Sequence, residues 1–101
     1  MAGVSVLAKR LKEARLRAGI SQKVLGIEAG IDRFAASTRI NYYELGKTHP
    51  PYSTAERLAK VLDVPTPYLY ARDDELAAWI LAFEQVNAAV RKSVIRKGRL
   101  K

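Results

Sequence analysis

The punctuation of this chain constrains its fold more than any other feature. Gly19, Gly30 and Gly46 cut the first half into pieces of helix length. Val4, Leu7, Leu11, Ala14 and Ala18 recur at three- and four-residue spacing, which puts them on one stripe of a helix from about Val4 to Ala18. Ser5 is its expected N-cap. Gly19 is its stop, because glycine reaches the left-handed conformation without a Cβ clash. Lys9, Arg10, Lys12, Arg15 and Arg17 fall on the polar face and read as a solvated basic surface. Ser21 caps a second, short helix, about Gln22 to Ala29, with Val24, Leu25 and Ala29 as its apolar stripe. Gly26 inside that helix costs about 1 kcal/mol against Ala. It makes sense where another helix backbone comes very close. Ile31 to Ala35 reads as a turn with Asp32 as its Asx residue, and Ala36 to Leu45 as a third helix with Ile40 and Tyr43 facing one way.

The second half continues in helices. Ser53-Thr54-Ala55-Glu56 has the spacing of a capping box, predicting a fourth helix over about Thr54 to Leu62. Thr66 followed by Pro67 reads as a cap with proline at the first helical position, opening a short fifth helix through about Tyr70. Tyr68 and Tyr70 are expected to close the core beneath helices four and five. Asp73 and Asp74 cap a last, long helix to about Val94, with Leu76, Ile80, Phe83, Val90 and Val94 on its apolar side and Trp79, Leu81 and Val86 flanking. Strand-like alternation, internal repeats and low-complexity tracts are all missing. The expected fold is all-α: five helices in residues 1–72, a long C-terminal helix in 73–95, and a basic tail, 96–101, that reads as disordered.

A length of 101 residues fits one domain. With 49% hydrophobic and 28% charged residues the chain is ordinary for a globular protein. Zero Cys excludes disulfides, Cys-ligated zinc and a thiol nucleophile, and a single His, His49, excludes the common multi-His metal sites. No carboxylate pair, glycine-rich phosphate loop or Ser/His/Asp set is legible, so no catalytic site, no metal and no cofactor are expected. No apolar run approaches the ~18 residues that span a bilayer, and the N-terminus does not read as a secretion signal. A cytoplasmic protein with no membrane partner is expected. The formal net charge is +8, which points to nucleic acid, an anionic membrane surface or an acidic partner. The charge is unevenly spread. Residues 1–60 hold 11 Lys and Arg against 5 Asp and Glu, residues 61–90 hold 1 against 5, and residues 91–101 hold 6 against none.

Specific landmarks narrow this. Leu11-Lys-Glu-Ala-Arg-Leu-Arg-Ala-Gly-Ile-Ser-Gln22, Leu25, Gly30-Ile31, Tyr43-Glu-Leu-Gly-Lys47, Pro50 and Leu58-Ala-Lys-Val-Leu-Asp-Val64 resemble the phage-repressor type of helix-turn-helix domain, the Cro and lambda-repressor or XRE-type family, over about residues 7–71. The resemblance implies a DNA-binding transcriptional regulator, most simply a repressor, whose second helix lies across the DNA backbone and whose third enters the major groove. Position by position, it puts Gln22 against phosphate at the start of helix two. It turns Ser37, Thr38, Arg39, Asn41 and Tyr42 toward base edges and flanking phosphates, and it places Lys47 and Thr48 in a phosphate-contacting loop. It also implies a structural ion pair between Arg15 and Glu44, and core positions at Leu25, Ile31, Ile40 and Tyr43. The residue types suit these places, since Arg binds guanine and Asn adenine in a bidentate manner. One departure stands out. About four extra residues fall between Gly30 and Glu44, around Asp32 to Ala36, so that either the turn is longer or helix three starts a turn earlier, and they put Arg33 and Phe34 at the tip, Arg33 joining the DNA-facing set.

Such domains bind paired half-sites, which calls for a homodimer. The stripe Leu76, Trp79, Ile80, Phe83, Val86 and Val90 is wide enough to cover the domain and to form a dimer interface. The alternative function is a protein-interaction module, such as the antitoxin of a toxin–antitoxin pair, with the C-terminal helix holding a partner protein.

Overall fold

The structure is a computed structural model and describes residues 5–99. Six α-helices follow one another: α1 (Val6–Ala18), α2 (Gln22–Glu28), α3 (Ala36–Leu45), α4 (Tyr52–Leu62), α5 (Asp74–Ala82) and α6 (Ala88–Arg99). A 3-10 turn, Thr66–Tyr70, links α4 to α5, and a second, Phe83–Gln85, follows α5. Val4 and the last two residues of the basic tail lie outside the described residues.

Local chemistry sets most of the boundaries. The Ser5 hydroxyl accepts from the Ala8 amide, the Ser21 hydroxyl from Val24, and an Asp73 carboxylate oxygen from Leu76, each closing an orphan donor at a helix start. Gly19 and Gly46 end α1 and α3 at φ of 72° and 73°. Leu11, Leu25, Ile40, Leu58, Tyr68 and Leu69 are fully buried and come from all four N-terminal helices and the first 3-10 turn. Gly26 is where α2 meets α3 backbone to backbone. A Cβ built there would stand 2.7 Å from the Ala36 Cβ and 3.0 Å from the Ala36 Cα and carbonyl oxygen.

Six expectations need correction. The long C-terminal helix is broken in two, because Val86 is extended (φ −98°, ψ 128°) and the Asn87 side chain accepts from the Val90 amide, starting α6 afresh. Arg91 clips the bend. Its Nε donates to the Val86 carbonyl at 2.7 Å, and its guanidinium lies 4.4 Å over the Phe83 ring. Residues 96–99 of the tail are helical and not a loose extension, since α6 continues through Arg99. Ser53 does not cap α4. The helix starts at Tyr52 with Pro51 in the cap position (φ −58°, ψ 157°), so Ser53 falls inside the first turn. Thr66 likewise lies within its turn, behind Pro65. Tyr68 is buried, but Tyr70 is half exposed and stacks on Tyr52 at 6.3 Å between ring centroids.

Arg10 is the sixth correction. It is 5% exposed rather than solvated. Its Nε donates to the Ala71 carbonyl at 2.8 Å, and one terminal nitrogen donates to the Arg72 carbonyl at 3.2 Å and to Asp74 at 2.9 Å. Glu13 accepts from the other at 3.3 Å, and the Tyr68 ring lies 5.7 Å away. Burial opposes this charge, and the bonds to Asp74 and Glu13 outweigh it, holding the guanidinium pKa above its ordinary value. Asp74 answers with a pKa below its ordinary value, through the hydrogen bond from Arg10 and the nearby Lys9 charge. A single side chain thus straps α1 to the start of α5.

Candidate nucleic-acid interface

The site is built around α3, and three polar side chains aim that helix. Arg15 on α1 makes a two-pronged contact with Glu44, Nε to Oε2 at 2.5 Å and a terminal nitrogen to Oε1 at 3.0 Å. Its remaining terminal nitrogen donates to the Ile20 carbonyl at 3.1 Å. The two side chains are 11% and 3% exposed, so the pair is held largely out of water. Gln22, first residue of α2, donates its amide to the same Glu44 Oε1 at 3.0 Å and to Asn41 Oδ1 at 3.2 Å. One carboxylate therefore gathers α1, α2 and α3. Paired planar groups of this kind fix direction as well as distance. Arg57 adds a tie from α4, its Nε donating to the Ala29 carbonyl at the end of α2 at 2.8 Å.

The outer face of α3 is left open. Ser37, Thr38 and Arg39 are exposed, Asn41 is half-buried and Tyr42 is 41% exposed. Ile40, Tyr43 and Glu44 face the interior. An open groove of about 520 Å³ lies at this face, lined by Phe34, Thr38, Arg39, Tyr42, Thr48 and His49 among others. Lys47 reaches back so that its ammonium lies 5.3 Å from the Tyr42 ring. Arg33 stands 5.9 Å over the Phe34 ring at the tip of the turn.

The sequence-derived set thus divides. Arg33, Ser37, Thr38, Arg39, Tyr42, Lys47 and Thr48 are open to solvent along the turn, α3 and the loop after it. Gln22 and Asn41 are instead bonded to each other, which occupies the Asn41 carbonyl oxygen. Three contributors escaped sequence reasoning. Arg10 and Arg57 look like surface arginines because the backbone carbonyls that anchor them, Ala71 and Ala29, are distant in sequence, which no periodicity reports. His49 reads as a loop residue but lines the groove.

A second surface lies at the far end of the chain. Leu76, Trp79, Phe83 and Val90 are about half exposed, while Ile80 and Val86 are partly covered. Ile80 packs on the core. Between α5 and α6, Trp79, Phe83, Val86, Val90, Val94 and Ile95 line a concavity of about 250 Å³.

A helix-turn-helix domain family model matches residues 6–79, from the start of α1 through most of α5. The chain belongs to the helix-turn-helix domain family. No curated protein matches it. Among solved structures, the crystal structure of the transcriptional regulator BswR is 45% identical, covers 93% of this chain and of that chain, and superposes with a TM-score of 0.78. In this helix-turn-helix domain α2 and α3 are the paired helices, the second being the one that such domains lay in the major groove. The match to BswR extends beyond the paired helices into α5 and α6, so the C-terminal elements are shared with that regulator and not an appendage of this chain alone.

Proposed function

We propose that the protein is a sequence-specific DNA-binding transcriptional repressor that acts in the cytoplasm as a homodimer. Family membership and the likeness to a transcriptional regulator support the coarse reading of a DNA-binding regulator. The observation that carries the finer one is the geometry of α3. Its outer face is polar, basic and free, while its inner face is pinned by the Arg15–Glu44–Gln22 cluster. A helix that reads base edges needs both properties, because an error of an ångström in its placement loses the bidentate contacts.

In this reading Arg39 is the principal base contact, with Ser37 and Thr38 short enough to let the helix sit deep in the groove. Lys47, Thr48 and Arg33 hold phosphates, and Tyr42 contacts the backbone or a base edge. Asn41 contributes through its free amide nitrogen. The dimer forms through α5 and α6, where Leu76, Trp79, Phe83 and Val90 leave apolar surface uncovered. Exposed clusters of this size mark association sites in soluble proteins. Two copies would present α3 to half-sites one DNA turn apart, about 34–36 Å.

The test is selection of bound duplexes from a random DNA pool. The proposal expects enrichment of a two-fold symmetric sequence. Lack of enrichment, with binding governed by salt alone, would reject sequence-specific reading. A purified chain that is monomeric alone and stable only with another protein would favour the interaction-module alternative.

A further inference from the structure

Phe34 is unexplained by the fold. It is 89% exposed, far more than the other large apolar side chains among the described residues. Yet its backbone is held in place. The Phe34 amide donates to Asp32 Oδ2 at 3.0 Å and the Ala35 amide to the Asp32 carbonyl at 2.9 Å, closing the turn immediately before α3. The ring lines the same groove as Thr38, Arg39 and Tyr42. Arg33 stands over it and Arg39 lies on the adjoining helix face, so a polyanion drawn to these cations meets the ring. An aromatic ring held at the leading end of the reading helix, flanked by guanidinium groups, calls for an apolar target within a polyanion. In the major groove that target is the C5 methyl of thymine.

We infer that Phe34 is a specificity-determining residue that packs on a thymine methyl in each half-site, a contact supplied by the turn before α3. This rests on the DNA-reading proposal above. Because the ring covers none of the core, Phe34→Ala should leave the melting temperature unchanged, which separates recognition from folding.

The experiment uses the full chain and the duplex selected from the random pool. Each thymine is replaced singly by deoxyuridine, which deletes only the methyl, and binding of the unaltered protein, Phe34→Ala and Phe34→Leu is compared. At one thymine per half-site, uracil should weaken the unaltered protein roughly fourfold, the equivalent of one buried methyl-sized group. Phe34→Ala should bind both duplexes alike, and Phe34→Leu should keep part of the sensitivity. An enriched, Arg39-dependent site at which uracil costs the protein and Phe34→Ala equally, or costs neither, overturns this inference alone. No enriched site at all overturns the DNA reading and this inference with it.

Discussion

Arg10 and Arg15 lie on the same helix, five residues apart, and do different work. Arg15 aims α3 through Glu44, and Arg10 straps α5 through Ala71, Arg72 and Asp74. Removing one member of a buried pair leaves the other charge without compensation. Arg15→Ala should therefore cost about 3–5 kcal/mol in urea unfolding, since Glu44 would keep only the Gln22 amide. The strap responds to acid. The native Asp74 pKa lies below the ordinary 3.8, so its contribution is complete above that value and fades as pH falls through the lower native one. Trp79 is on α5, five residues beyond Asp74. Its fluorescence should hold steady from neutral pH to about pH 4 and change below that. In Arg10→Ala the strap itself is gone, so this acid-induced change should be small or absent.

Among the elements, the contact between α2 and α3 has the least room for change. Gly26→Ala would drive a methyl against both the side chain and the backbone of Ala36, and a backbone cannot swing away as a side-chain tip can. The helices must separate, at about 1–3 kcal/mol, carrying α3 off its aim. Thermal unfolding and DNA binding should both suffer. That contact was legible in the sequence, because a glycine inside a helix demands a reason. So were the bounds of α3 and the caps Ser5, Ser21 and Asp73, which depend on one residue and its immediate neighbours. Where two local signals compete, sequence reading fails. Pro51 takes the start of α4 from Ser53, whose spacing to Glu56 looked sufficient. The apolar period from Leu76 to Val94 runs through Val86 and Asn87, and it hides a break made by one asparagine cap and the Arg91 clip. Asn87→Ala should cost about 1 kcal/mol, felt as faster amide exchange in the first turns of α6 while α1–α4 stay protected. In the candidate site, residue types and the polar face of α3 could be read in advance. The bond between Gln22 and Asn41 could not, since it depends on how two helices cross.

At the scale of the whole molecule, the shape and the charge agree on a division of labour. The radius of gyration, 15.4 Å, exceeds the roughly 13 Å of a compact chain this long, and the longest extent is 51 Å. The excess fits α6, whose residues include none that is buried. Its basic residues, Arg91, Lys92, Arg96, Lys97 and Arg99, are separated from the basic N-terminal region by the acidic stretch Asp73-Asp74-Glu75. A second copy could set one against the other while covering the apolar concavity between α5 and α6. Val90→Asp should then shift the chain from dimer to monomer in sedimentation, with little effect on unfolding of the body. The central claim is that α3 reads sequence, and it is tested most directly by measuring Arg39→Ala on the selected duplex and on random DNA. The account predicts a loss of about 1–3 kcal/mol on the selected duplex, with binding to random DNA nearly unchanged. Equal losses on both duplexes, or no loss on either, would contradict it.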